Sequence, residues 1–299
     1  MVLCCYSGYS YAWYPRLPSA GSIDPPLAGR LVGSNRDYYI GRADTLLEVA
    51  RRGRLGYQNL VAANPGVDPW QPSPGARLVL PYATLLPPGL AQPGVTINLA
   101  EFRLYLVWRD GEQLRVRIYP IGLGRDGWLT PEGEYQVANM IENPLWTMPA
   151  TLREENPELP AVIPPGPDNP LGSHWIGLSE PGYGIHGTNR PYGIGRQVSH
   201  GCIRLYPSGI RDLVNRVARG MAVKVIYQPI KLGRQGETLY LEAHQDYLGR
   251  LPDALAEVRR QAQALGWQRP LLDEIIAPHL AGSRGVPQPL VSREAGNSR

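Results

Sequence analysis

Between Val95 and Tyr119 the chain alternates apolar and polar residues as strands do. "VTINLAEFRLYLV" runs to a turn at Asp110-Gly111, and "QLRVRIYPI" answers it. "GEYQV" (133–137), "HWIGL", "YGIHG" and "MAVKVIY" (221–227) read as further strands, and "YPSGIRDLVNRVARG" (206–220) as a helix with Ile210, Leu213, Val214 and Val217 on one side. Upstream the pattern is different. "DYYI" (37–40) is a short strand. In "ADTLLEVARRG" Thr45 and Glu48 form a capping box before Leu46, Leu47, Val49 and Ala50, with Gly53 as the stop. "GYQNLVAANPG" gives a second short helix ended by Asn64-Pro65-Gly66, and "ARLVLP" (76–81) a closing strand. A strand–helix–helix–strand unit this short has little core of its own, so it reads as an accessory module.

The segments between are punctuated by proline. "YATLLPPGLAQPG" (82–94) predicts a stiff, extended spacer. "ENPELPAVIPPGPDNP" (155–170) predicts a long irregular loop, a kind of segment that often carries function. After residue 228, "GETLYLEAHQDY" suggests a strand with an extension, "DALAEVRRQAQALG" (253–266) a helix, and the last fifteen or so residues a disordered tail. The divisions predicted are a flexible lead-in (1–35), the accessory module (36–82), a linker (83–94), the main domain (95–227) and a C-terminal extension (228–299).

Composition narrows the function. One Phe against 17 Tyr, with Gly 34 and Pro 31, favours strands and turns over a helical bundle. The net charge of +4 is spread without a dense basic run, so nucleic acid is not expected as a partner. No stretch reaches the roughly 18 apolar residues of a membrane span. The first twenty residues lack the basic start and apolar block of an export leader, although "PRLPSA" ends like a cleavage region. Cys4 and Cys5 are adjacent, which is poor geometry for bonding each other, and three cysteines are too few for a disulfide scaffold.

The third cysteine, Cys202, lies in "GIHGTNRPYGIGRQVSHGCIRL" (184–205). By spacing alone it fits three roles: a small buried hydrophobe, a ligand in a His–His–Cys metal site, or a nucleophile. No CxxC or HxxxH pair supports the metal. For the nucleophile, an imidazole must take the thiol proton. His186 and His200, sixteen and two residues upstream, are the candidates. Gly201 removes bulk beside the thiol, and the backbone N–H groups of Gly201 and Cys202 can serve as an oxyanion hole.

The same segment resembles the signature of the L,D-transpeptidase (YkuD-like) catalytic domain: a first His-Gly, then Ser-His-Gly-Cys after a gap of fitting length. "INLAEFRLYL" resembles that family's opening strand and "TPEGEY" its Thr-Pro turn. "YYIGRADTLLEVARRGRLGYQNLVAANPGVDPW" resembles a LysM peptidoglycan-binding module. The resemblance implies a mostly β fold, a β-sandwich catalytic domain behind a small βααβ module. It implies that Cys202 attacks a diaminopimelate carbonyl of a peptidoglycan tetrapeptide stem, releases D-alanine and passes the acyl group from a thioester to an amine. The amine belongs to another stem or to an outer-membrane lipoprotein; with water instead, the enzyme is an L,D-endopeptidase or carboxypeptidase. It further implies that His186 is the base, with His200 the alternative, that the Gly187 carbonyl orients His186, and that Ser199 and His200 shape the pocket. Arg204 is placed to pair with a substrate carboxylate or to make a structural salt bridge. Tyr183, Trp146 and the loop from Asn143 to Pro170 are placed to form a lid or groove, with plain packing the alternative for Tyr183 and Trp146. No cofactor or metal is called for, and the location implied is the periplasm. Outside enzymes, the competing reading is a non-catalytic wall-binding protein, which needs only the module.

Overall fold

The computed structural model describes residues 29–90, 92–125, 127–155, 157–158, 160–199 and 201–292. Most of the predicted lead-in, Cys4, Cys5, His200 and the end of the predicted tail lie outside the described residues.

The accessory module is β1 (Arg36–Tyr39), α1 (Leu46–Gly53), α2 (Tyr57–Ala63) and β2 (Arg77–Leu80), with β1 and β2 antiparallel. The Thr45 side chain accepts from the Glu48 amide at 3.2 Å, which starts α1 where the sequence predicts it. The stop is one residue later than expected: Arg54, at φ 53°, takes the left-handed position. Gly53 is needed for another reason. Its carbonyl accepts from the Tyr82 hydroxyl at 2.8 Å, and a Cβ there would meet that hydroxyl at 3.1 Å. Asn64 ends α2 and ties it to β2, donating to the Leu60 and Val79 carbonyls and accepting from the Val79 amide.

The main domain is built from β3 (Gly94–Asn98), β4 (Arg103–Asp110), β5 (Gln113–Gly124), β6 (Gly133–Glu142), β7 (His174–Leu178), β8 (Gly184–His186), β9 (Gln197–Ser199), β10 (Ile203–Leu205), α3 (Pro207–Val214) and β11 (Ala222–Ile226). The protein is mostly β, as expected, but the strands form a closed ring rather than two separate sheets of a sandwich. Their order is β5-β10-β8-β7-β6-β11-β3-β4, and β4 pairs back to β5; β9 joins beside β5. Closure follows from two long strands that change partners. The first part of β5 pairs with β4, and Ile121 and Gly122 pair with β10. Likewise Gly133–Gln136 of β6 pair with β11, and the remainder with β7. Leu104, Leu106, Ile121, Ile176, Ile185, Ile203 and Val223 fill the interior.

Residues 83–90 are not a free spacer. Thr84 and Leu85 pair with Leu31 and Val32, and Leu86 and Leu90 pack with Val32, Tyr105, Val107, Val116 and Ile118 on the outer face of the ring. This explains why "RLYLV" is buried on both faces. The C-terminal extension holds β12 (Ile230–Gln235), β13 (Thr238–Ala243), α4 (Ala254–Ala264), α5 (Asp273–Gly282) and β14 (Gln288–Ser292). Its strands make one antiparallel sheet over a core that includes Leu239, Leu241, Val258 and Ile276. Of the expected disordered tail, Gln288–Ser292 is strand and residues 293–299 lie outside the described residues. Among the described residues no helix is long and apolar enough to cross a membrane.

A fully buried ionic cluster joins the extension to the ring. Lys231 Nζ lies 2.7 Å from Glu101 and 3.1 Å from Glu242, and Arg103 lies 3.0 Å from Glu101 and 2.6 Å from Glu242. His244, Tyr105 and Thr84 add hydrogen bonds. Burial pushes both carboxyls up, but Lys231, Arg103 and His244 outweigh it and hold them below the ordinary carboxylate value. Glu101, Glu242 and His244 bring their ligand atoms within 4.8 Å of one another. The positive charge that such a group needs is supplied by Lys231 and Arg103.

Candidate active site

β8 and β10 run parallel as neighbours, and His186 pairs with Arg204. Register partners in a parallel pair share a face, and so do residues two apart on one strand. His186 and Arg204 therefore project to the same side, and Cys202 lies directly before β10. The loop after His186 returns the chain to the strand beside it, and the β8–β10 ladder begins one residue after Cys202.

His186 is buried, and its Nδ1 lies 2.6 Å from the Gly187 carbonyl. A carbonyl only accepts, so Nδ1 carries the proton and the neutral ring keeps its lone pair on Nε2. The ring stacks on Trp175 at 5.9 Å between centroids. Burial, helped by the Arg204 charge, depresses its pKa from 6.5 to about 3, against the pull of the Gly187 and Leu171 carbonyls. The folded protein holds this ring neutral, whereas below pH 6.5 the unfolded chain binds a proton there. The unfolded state then carries more protons, so stability falls as pH drops from about 6.5 toward 3. His186→Gln removes that contribution. Its melting midpoint, compared with the parent's at pH 7 and pH 4.5, should lose less on acidification.

Cys202 is half-buried, its Sγ 3.6 Å from the Gly182 carbonyl. Burial pushes the thiol pKa up, and a backbone contact at Gly184 and the Arg204 charge oppose it. The resting thiol and the resting imidazole are thus both neutral. Arg204 is largely buried, and burial lowers its pKa. Its Nε has no hydrogen-bond partner among the described residues.

The turn before Cys202 is fixed by backbone. Gly201 sits at φ 106°, where an L side chain is strained, so the glycine serves conformation as well as space. The Ser199 hydroxyl donates to the Cys202 carbonyl at 2.7 Å, and the Thr130 hydroxyl to the Gly201 carbonyl at 2.5 Å. Gly187 leaves room for α3, since a Cβ there would stand 3.0 Å from Ile210. The Tyr183 ring borders Gly201, 3.4 Å from where its Cβ would be. Trp146 lies in the loop on a two-residue strand, opposite Ile163.

Sequence reading missed Thr130 and Trp175. Thr130 heads the "TPEGEY" turn, which resembles the family's Thr-Pro turn but had been given no role in the site. Trp175 gave no signal of its own, but Gly184 did: a Cβ at 184 would strike the Trp175 ring at 2.4 Å.

Residues 92–225 match the YkuD family, described as the L,D-transpeptidase catalytic domain. Over 239 residues the chain is 41% identical to probable L,D-transpeptidase YcfS of Escherichia coli (strain K12), which covers 77% of this chain and 74% of that one. The chain belongs to the L,D-transpeptidase family. Other relatives of this transpeptidase include probable L,D-transpeptidase YbiS of the same strain, 38% identical over 77% of this chain and 74% of that one. Putative L,D-transpeptidase YkuD of Bacillus licheniformis is 31% identical, over 63% of this chain and 97% of its own length. The family match ends at Lys224-Val225, inside β11, so the last strand of the ring is also the end of the transpeptidase catalytic domain.

Proposed function

We propose that this transpeptidase uses Cys202 as its nucleophile on peptidoglycan tetrapeptide stems. The observation that supports the reading is that Cys202 directly precedes β10, whose Arg204 pairs with His186 and acts on both the thiol and the neutral ring, with Nδ1 tied to the Gly187 carbonyl. The thiol proton passes to Nε2 as the Sγ–carbon bond forms at the diaminopimelate carbonyl. The peptide C–N bond then breaks, and the departing amine of D-alanine takes the proton. The Gly201 and Cys202 amides hold the oxyanion, with the Gly201 carbonyl fixed by Thr130. Arg204, with its buried Nε open, suits a substrate carboxylate. An amine of a second stem or of an outer-membrane lipoprotein attacks the thioester and restores the thiol. The accessory module reads as a LysM-like wall binder, with Trp70 and Tyr39 exposed on it. That substrate places the protein in the periplasm.

Incubation with disaccharide-tetrapeptide, followed by mass spectrometry beside Cys202→Ala, tests this. Crosslinked product that disappears in the variant is the expected result. Tripeptide alone assigns the hydrolytic reaction. No product, together with no adduct from a carbapenem, leaves only wall binding.

A further inference from the structure

The loop joining His186 to Cys202 is held on two sides. On one side it is fastened to the ring: the Gly195 amide donates to the Ile121 carbonyl at 2.9 Å, and the Leu123 amide to the Arg196 carbonyl at 3.0 Å. On the other side it meets the accessory module. The Tyr57 amide donates to the Ile194 carbonyl and the Gln58 amide to the Gly195 carbonyl, both at 3.2 Å. These are the first two residues of α2, and its N-cap, Gly56, offers no side-chain cap. Loop carbonyls from the catalytic motif take that part instead.

The fit is close. Gly195 sits at φ 79°, and a Cβ there would stand 2.2 Å from the Tyr57 nitrogen. Ile194 is buried. Arg196 lies over the Tyr57 ring and Arg51 over the Tyr192 ring. Two more bonds cross the same boundary: Asn59 Nδ2 to the Glu101 carbonyl at 3.0 Å, and the Tyr206 hydroxyl to the Leu55 carbonyl at 3.0 Å. Tyr206 directly follows β10, the strand that carries Arg204 and adjoins Cys202.

We propose that the accessory module positions the catalytic motif: the Tyr57 and Gln58 amides, closing on Gly195, hold the His186–Cys202 loop in register. Gly195 and Gln58 are positioning residues and touch no reacting atom. This rests on the reading of Cys202 and His186 given above. It makes the module part of the catalytic geometry in addition to any role in retaining the enzyme on its substrate.

The test uses the full chain. Gly195→Ala puts a methyl against the α2 backbone. Gln58→Pro removes a single seam donor from an exposed first-turn position where proline is tolerated. Melting midpoint, the rate of Cys202 acylation by a carbapenem, and the rate of iodoacetamide alkylation against pH are measured for each. Folded Gly195→Ala should acylate roughly 10²-fold more slowly, the usual result of misplacing a reacting group by about 1 Å. Folded Gln58→Pro should lose about fivefold, as for one hydrogen bond. In both, alkylation is not slowed, and its pH midpoint falls as the thiol loses burial. Parent-like acylation in the folded variants overturns the proposal. So does a parallel fall of acylation and alkylation together with the melting midpoint, which marks a merely structural role. If Gly195→Ala does not fold, Gln58→Pro decides. A parent protein that is alkylated but never acylated overturns the functional reading instead. The seam is then judged on the alkylation midpoint, and an unchanged midpoint overturns it.

Discussion

His186→Gln should slow acylation of Cys202 by about two to four orders of magnitude while the protein stays folded at pH 7. Glutamine can still donate to the Gly187 carbonyl and fill much of the ring's volume, but it has no lone pair of comparable basicity. The cost is large because the thiol is not ionised at rest: burial keeps its pKa up. Attack therefore needs a partner that takes the proton as the bond forms, and a neutral ring with Nδ1 already committed presents its lone pair for that step. Single-turnover formation of the carbapenem adduct, read by intact mass, measures the effect. Acylation within a few-fold of the parent would move the base to His200.

Lys231→Met should destabilise the protein by about 3–5 kcal/mol, as removal of one member of a buried ionic group does. Lys231 is fully buried between Glu101 and Glu242. Without it, the two buried carboxylates keep Arg103 as their buried guanidinium, with His244 beside them. One carboxylate must then give up its charge, so the loss should be greater at pH 8 than at pH 5, where protonation is easier. In the parent the signs are reversed. Both carboxyls are held low, so their contribution is complete above about pH 4.5 and fades as pH falls below it. Urea unfolding at the two pH values measures the difference. The double variant Lys231→Met, Glu101→Gln should recover part of the loss; equal destabilisation in single and double variants would show that the charge balance is not what matters.

What could be read from sequence was what is local. Thr45 and Glu48 lie three residues apart and announce α1; Asp110-Gly111 announces the turn between β4 and β5. The catalytic motif is also local, since both of its halves and their loop fit within 184–205. What could not be read depends on residues distant in the chain. Val95 pairs with Val223, and nothing near either names its partner. The ionic cluster assembles Glu101, Arg103, Lys231, Glu242 and His244, each an ordinary surface residue by its neighbours. Residues 83–90 look like a spacer by their prolines, yet they cover the outer face of β4. β14 was hidden by Pro289, which an edge strand accepts where an inner strand would not. In the site, the spacing of His186 and Cys202 was legible, whereas Trp175 and Thr130 meet the motif only through the ring.

β11 is the last strand of the ring to leave the ribosome, and it fills the gap between β6 and β3. The accessory module, whose pairings span few residues, can fold while synthesis continues. The ring cannot: until Ala222–Ile226 emerges, β6 and β3 each present an unpaired edge, a hazard for association with another chain. His186 and Cys202 are by then already made. The nascent chain thus carries the proposed nucleophile on an unfinished scaffold, and the site is complete only when a strand outside the motif closes the circle.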